Sequence, residues 1–101
     1  MIFYNSLSRK KEVFKPIDKK LITLYTCGPT VYDSPHIGNY RTFLFEDLLK
    51  RTLITSGFEV KHAMNITDID DKTIKASKNE NIDIKEFTKK YINIFFDELK
   101  I

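Results

Sequence analysis

Apolar positions change their period along the chain, and the changes mark the elements. Leu21-Ile22-Thr23-Leu24-Tyr25-Thr26 is a short β-favouring run and reads as a buried strand. Cys27-Gly28-Pro29-Thr30 follows it, and adjacent Gly and Pro break a strand into a tight loop. From about Tyr40 the period becomes helical, with Leu44, Phe45, Leu48, Leu49 and Leu53 on one face. Asn39 is the candidate N-cap and Gly57 the candidate stop. Phe58 to Met64 reads as a second strand. Strand, long helix, strand is a βαβ unit, which predicts a parallel sheet joined by a right-handed crossover. A short helix is expected over Asp70 to Asn79. Asp83, with Glu86 three residues on, resembles the capping box of another. The apolar stripe of that last helix is Ile84, Phe87, Tyr91, Ile94, Phe95 and Leu99. It meets no stop signal, so further protein is expected to follow. Before Leu21, Phe3 and Phe14 are placed to pack across a turn at Asn5-Ser6, between short extended pieces. The chain has no internal repeat and no low-complexity segment.

Composition narrows the class. A length of 101 residues suits one small domain or part of a larger one. The hydrophobic share of 42% allows a core, and the charged share of 31% argues against a membrane protein. No apolar run approaches the roughly 20 residues of a transmembrane helix. The first residues, Met1-Ile2-Phe3-Tyr4-Asn5-Ser6, lack the basic start and apolar stretch of a signal peptide. Cys27 is the single cysteine and has no internal disulfide partner, so a reducing cytoplasm is the expected location. Asn65-Ile66-Thr67 spells a glycosylation sequon but lacks the secretory route it needs. Seventeen basic and 14 acidic residues leave a net charge of +3. Small clusters such as Arg9-Lys10-Lys11 and Lys89-Lys90 read as solvated surface, and charge alone does not point to a nucleic acid.

In an open parallel sheet, ligands bind beyond the carboxyl ends of the strands. Two loops occupy that edge, Cys27 to Asn39 and Asn65 to Asp71. The first feeds a helix N-terminus, where unpaired N–H groups and the helix dipole favour an anion such as phosphate. His36 and Asn39 stand at its mouth and can donate hydrogen bonds to phosphate oxygens. Gly38 between them would let a flat ring approach the backbone. The plainer alternative is that Ser34-Pro35-His36 only makes a turn and Asn39 only caps. Cys27, ending a buried strand, has the plain reading of a small core residue. Asp68, Asp70 and Asp71 offer hard oxygen donors of the kind magnesium takes, but their spacing matches no EF-hand, and capping of the next helix explains them as well. His62 lies in the second strand outside any ligand pattern and reads as structural.

Pro35-His36-Ile37-Gly38-Asn39 resembles the signature loop of class I aminoacyl-tRNA synthetases, usually His-Ile-Gly-His. Tyr25-Thr26-Cys27-Gly28-Pro29-Thr30-Val31-Tyr32-Asp33, His36 to Phe43, and Asn65-Ile66-Thr67-Asp68-Ile69-Asp70-Asp71-Lys72 resemble the cysteinyl-tRNA synthetase family in order and spacing. Phe3-Tyr4-Asn5-Ser6-Leu7 and Phe14-Lys15-Pro16 fit as well, so the resemblance spans essentially the whole chain. It implies an α/β fold: residues 1–101 as the incomplete N-terminal half of a Rossmann-like class I catalytic domain. It also implies ATP-dependent activation of cysteine to cysteinyl-adenylate and transfer to tRNA(Cys). By the same resemblance, Pro35, His36, Ile37, Gly38 and Asn39 hold ATP, which arrives with Mg2+. His36 and Asn39 are the catalytic pair, and Gly28 and Thr67 contact the amino acid. Asp70 and Asp71 are structural or orienting. Cys27 becomes a Zn2+ ligand, its Cys, His and Glu companions lying downstream in the family. Zinc prefers thiolate sulfur, so a cysteine substrate would be chosen by a metal–sulfur bond that serine cannot make. The expected partners are tRNA(Cys), cysteine, ATP and the remainder of the synthetase chain, with no membrane. Two rival readings stay open: a cysteine ligase with a small amino-sugar acceptor, and a non-catalytic nucleotide-binding half-domain.

The chain departs from the family pattern at Asn39, which still donates a neutral hydrogen bond but carries no proton charge. That weakens a role in acid catalysis there. The family's second signature, a Lys-Met-Ser-Lys-Ser type loop, does not occur in these residues. The 101-residue chain by itself is therefore expected to show no cysteine-dependent exchange of pyrophosphate into ATP. Measurable exchange by the purified chain would overturn this.

Overall fold

The computed structural model describes residues 1–100. Seven elements run in the order β1 (Ile2–Asn5), β2 (Lys10–Val13), β3 (Leu21–Thr26), α1 (Ile37–Thr55), β4 (Glu59–Met64), α2 (Asp71–Glu80) and α3 (Ile84–Glu98). β3 and β4 pair in parallel from Leu21↔Glu59 to Thr26↔Met64, with α1 as the connection. This is the βαβ unit that the change of period predicts.

β1 and β2 form a separate antiparallel hairpin with Ile2 opposite Val13. The hairpin is tied to the rest by aromatic edges: Phe3 meets Phe14 with centroids 5.3 Å apart, and Phe14 meets Phe58 at 6.4 Å. Asp18 Oδ1 accepts from the backbone N–H groups of Lys20 and Leu21, which fixes the turn into β3.

α1 starts earlier than the apolar period suggests, and its cap differs from the expected one. His36, not Asn39, is the N-cap, with Asn39 at the third helical position closing a reciprocal capping box. A hydrophobic period cannot reveal a first turn made of Ile37-Gly38-Asn39, because its only apolar residue points to solvent, Ile37 being 88% exposed. Gly57 ends the helix as expected, at φ +91°. Its N–H bonds the carbonyl of Ile54, and that of Phe58 bonds Leu53, the two bonds of a Schellman motif. Asn81 ends α2 in the left-handed region, which asparagine tolerates better than most residues.

The face that α1 buries is also not the expected one. Phe43, Glu46 and Leu53 turn inward, while Leu44, Phe45 and Leu48 are 69%, 66% and 61% exposed. β3 is likewise half-buried rather than buried. Ile22, Leu24 and Thr26 share a covered face with Val60, His62 and Met64, and Thr23, Tyr25 and Lys61 lie on an open one. The physical reason is one of cover. Parallel sheets are normally packed on both faces, and here two strands and one crossover helix supply a single covered side. The radius of gyration of 17.0 Å exceeds the ~13 Å of a compact 100-residue domain, in keeping with this open build.

α3 packs on most of its predicted stripe, with Phe87 and Phe95 almost wholly buried, while Leu99 stands at the C-cap, 45% exposed. Phe95 meets Phe43 of α1 edge to face at 5.3 Å, and Phe87 lies 5.0 Å from Tyr91. Asp83 caps α3 by accepting from Lys85 N. The Glu86 half of the expected capping box does not form, and the reciprocal boxes belong instead to His36/Asn39 and Asp70/Thr73. Glu46 is the unusual core residue: one carboxylate oxygen is buried with no hydrogen-bond partner among the described residues.

Tyr40 of α1 donates its phenol hydrogen to Glu98 of α3. Burial, reinforced by the Glu98 carboxylate that accepts its proton, holds the phenol up at about 12 against an ordinary 10.0. The neutral phenol is the form that makes the tether. Its contribution is therefore complete below pH 10.0 and disappears as pH rises towards about 12. Phenolate absorbance should show one tyrosine titrating above the others. Tyr40→Phe should remove that step together with the matching alkaline loss of stability. A uniform tyrosine titration would count against the tether.

Candidate functional site

The site is built where β3 and β4 end. Past Thr26 and Met64 the two chains stay side by side through a second set of bonds. Thr30 and Thr67 form an isolated parallel bridge, with Val31 N donating to Thr67 O at 3.0 Å and Thr67 N to Pro29 O at 2.9 Å. Between strand and bridge, Gly28 N donates to Asn65 Oδ1 at 3.0 Å, and Asn65 Nδ2 donates to Thr67 Oγ1 at 3.0 Å. A Cβ at Gly28 would stand 1.9 Å from the Asn65 carbonyl oxygen and 2.7 Å from Met64 Cγ. Only glycine permits that approach. Asn65, met in the sequence only as a sequon residue, is thus the staple of the site.

The stapled loop encloses a cavity of about 260 Å³ lined by Cys27, Gly28, Tyr32, Pro35, His36, Asn39 and Lys72, among others. Cys27 is exposed rather than a packed core residue, and its lining of the same cavity as His36 answers the plain reading. Of the residues singled out in the sequence, Cys27, Gly28, Pro35, His36 and Asn39 come together here. Ile37 and Gly38 do not line the cavity. Thr67 does not line it either; its hydroxyl accepts from Asn65. The space over Gly38 is taken by the His36 ring itself, because an added Cβ would lie 2.8 Å from its Cε1. Gly38 therefore makes room for the capping imidazole.

Capping determines which atoms of the tip face a ligand. Gly38 N donates to His36 Nδ1 at 3.0 Å, and His36 N donates to Asn39 Oδ1 at 3.1 Å. A backbone N–H can only donate, so Nδ1 is an acceptor and the proton of the neutral ring sits on Nε2. In the same way Asn39 spends its oxygen on the cap and keeps its NH2 group. The cap therefore leaves two donors unused, His36 Nε2–H and the Asn39 amide, on residues that both line the cavity.

The second loop is organised by capping, as one of its two readings expects. Asp70 Oδ1 accepts from Thr73 N at 2.8 Å, and Asp70 N donates to Thr73 Oγ1 at 2.8 Å. His62 is structural: Nε2 lies 2.9 Å from Thr26 Oγ1 across the sheet. Sequence reasoning missed Tyr32 and Lys72. The Lys72 ammonium sits 5.3 Å from the centroid of the Tyr32 ring, and both line the cavity. A single lysine after two aspartates carried no signal beyond ordinary surface charge.

Cys27 offers an accessible sulfur, but no group of three or more His, Cys, Asp or Glu side chains able to hold an ion occurs among the described residues. No helix among them is long and apolar enough to cross a membrane.

Comparison with known proteins shows the family to which the chain belongs. The family model described as tRNA synthetases class I (C) catalytic domain matches residues 13–101. The chain is 54% identical over 100 residues to a cysteine–tRNA ligase of Brachyspira hyodysenteriae, covering 99% of the chain and 21% of that protein. It is 54% identical over 99 residues to one of Chlamydia pneumoniae, covering 98% and 21%. It is 56% identical over 96 residues to one of Methanosarcina mazei, covering 95% and 20%. The chain thus spans about a fifth of the length of the curated relatives it matches.

Gly28→Ala should force the two loops apart. A loss of about 1–3 kcal/mol is expected from overpacking of this kind, read as a lowered denaturant midpoint. An unchanged midpoint would show that the loops do not meet as closely as the 1.9 Å contact requires.

Proposed function

The chain belongs to the family of class I (C) tRNA synthetase catalytic domains, and on that premise we propose that it is the N-terminal half of the catalytic domain of a cysteine–tRNA ligase. One observation carries this reading: an accessible Cys27 sulfur and the two capped donors His36 and Asn39 line one cavity at the carboxyl end of a parallel sheet. The identities of 50% and above to cysteine–tRNA ligases support the substrate class.

The reaction has two steps. The carboxylate of cysteine attacks the α-phosphorus of ATP, forming the mixed anhydride and releasing pyrophosphate. A ribose hydroxyl at the end of tRNA(Cys) then attacks the acyl carbon and releases AMP. Negative charge gathers on the phosphoryl oxygens in the first step. Fixed donors aimed at those oxygens lower its barrier without reorganising. His36 Nε2–H and the Asn39 NH2 group are such donors, supported from behind by Gly38 N and His36 N. The partial positive end of α1 adds to them. Pro35 and Gly28 shape the cavity wall. Thr67 acts on the amino acid through the loop it ties to Val31 and Pro29. Mg2+ accompanies the triphosphate, and Asp70 is spent on its cap.

Cys27 supplies one thiolate towards a Zn2+ site whose other ligands would come from outside these residues. When bound, that ion would select a soft thiol over a hydroxyl. The task of Cys27 in this chain is to hold its sulfur at the cavity edge.

Cysteine-dependent exchange of pyrophosphate into ATP by the full-length protein tests the reading, and charging of tRNA(Cys) separates it from transfer to an amino-sugar. A zinc-loaded full-length protein inactive in exchange would overturn it. Within that assay, His36→Ser keeps a good N-cap but replaces the Nε2 donor with a single rotating proton close to the backbone. It should lower kcat by about 10²–10³-fold, the cost of one such donor, with an unchanged melting temperature. Asn39→His preserves an acceptor and a donor and should keep or raise activity. A large loss of adenylate formation in Asn39→His would contradict the role given to that side chain.

A further inference from the structure

We propose that Lys72 is a substrate-binding residue that grips an anionic group of one of the two small substrates, the carboxylate of cysteine or a phosphate of ATP. This rests on the ligase reading and adds a cation that it does not assign. Lys72 is the only Lys or Arg that lines the cavity, which it shares with Cys27, His36 and Asn39. Two ion pairs occur among the described residues, Arg51–Asp47 and Lys100–Asp97, and Lys72 takes part in neither. Among the described residues no carboxylate lies within ion-pair distance of it, although Asp70 and Asp71 are its neighbours in sequence.

The position also runs against local preference. Lys72 is the second residue of α2, and a cation in the first turn of a helix opposes the macrodipole, which favours Asp and Glu there. Broken local rules are expected at functional sites, although Lys85 holds the same place in α3, so the weight falls on the cavity that Lys72 lines. Its base is rigid: Thr73 is fully buried and locked to Asp70 by reciprocal hydrogen bonds of 2.8 Å. Its tip is held over the Tyr32 ring at 5.3 Å. A ring face attracts the ammonium without neutralising it, so the charge stays available to a ligand. The remaining charged residue of the wall is Asp33, one of whose oxygens accepts from Ser34 N at 2.7 Å. Lys72 is thus the single fixed positive side chain that an anionic substrate meets in this cavity.

The test is pyrophosphate exchange by the full-length protein, with the KM for cysteine, the KM for ATP and kcat measured separately. Lys72→Met keeps the apolar stem and removes the charge. It should raise one of the two KM values about ten- to a hundredfold, the range for a lost charged hydrogen bond, and leave the other unchanged. A rise in the cysteine KM identifies the carboxylate, and a rise in the ATP KM identifies a phosphate. Lys72→Arg should restore most of the loss, and Tyr32→Leu should raise the same KM by a smaller factor. Lys72→Met with both KM values unchanged would overturn the proposal. So would Lys72→Arg failing as badly as Lys72→Met, because shape rather than charge would then be at stake. A wild-type protein without cysteine-dependent exchange would instead sink the ligase reading itself, so the two failures are distinguishable.

Discussion

The contact on which the site depends is the approach of the Cys27–Pro29 backbone to that of Asn65, held by Gly28 N on Asn65 Oδ1. Two parallel strands diverge once their ladder stops, unless something continues it. Here the Asn65 amide spans the gap and the Thr30–Thr67 bridge resumes the pairing beyond it. The glycine is required because a Cβ would collide with a backbone oxygen, which cannot swing aside as a long side chain could. Loosening this contact would carry Cys27 away from His36 even with both residues unchanged. The shape of the cavity therefore rests on an interaction to which neither Cys27 nor His36 contributes a side chain.

The layout was legible because hydrophobic periods and turn residues report local structure well. The strand at Leu21, the parallel partner ending at Met64, the stop at Gly57 and the packing of Phe87 and Phe95 all follow from such signals. What escaped was information of another kind. A helical period says that Leu44, Phe45 and Leu48 share a stripe, but not that the stripe finds cover, and here it does not. The first turn of α1 is polar or solvent-facing, so its start was invisible to a hydrophobic count. The roles of Asn65 and Lys72 arise from residues distant in sequence that meet across loops, and no local pattern encodes that meeting.

Stability is distributed to match. The aromatic contact of Phe43 with Phe95 ties α1 to α3, and that of Phe87 with Tyr91 stacks successive turns of α3 itself. The carboxyl edge of the sheet holds its form by hydrogen bonds instead. Hydrogen bonds are directional and weak in net energy, which suits a rim that must fix angles while leaving a cavity open. The open face of β3 and the bare stripe of α1 show the reverse, apolar surface without geometry to fix it.

The helix tip shows why its two polar residues are of the kind they are. A cap needs an acceptor pointing back at the helix, and the phosphate binding proposed above needs a donor pointing away from it. Serine or aspartate, common N-caps, satisfy the first need; aspartate offers no donor, and serine has a single rotating proton close to the backbone. A neutral imidazole carries an acceptor and a donor on separate ring atoms, so the bond from Gly38 to Nδ1 that stabilises α1 also decides that Nε2 bears the proton. The carboxamide of Asn39 divides the same way, its oxygen accepting from His36 N and its nitrogen left free of the cap. Asparagine in place of the usual histidine of the signature is therefore a conservative change in the respect that matters. On the proposed reading it keeps an acceptor for the fold and a donor for the phosphate, and gives up only a positive charge.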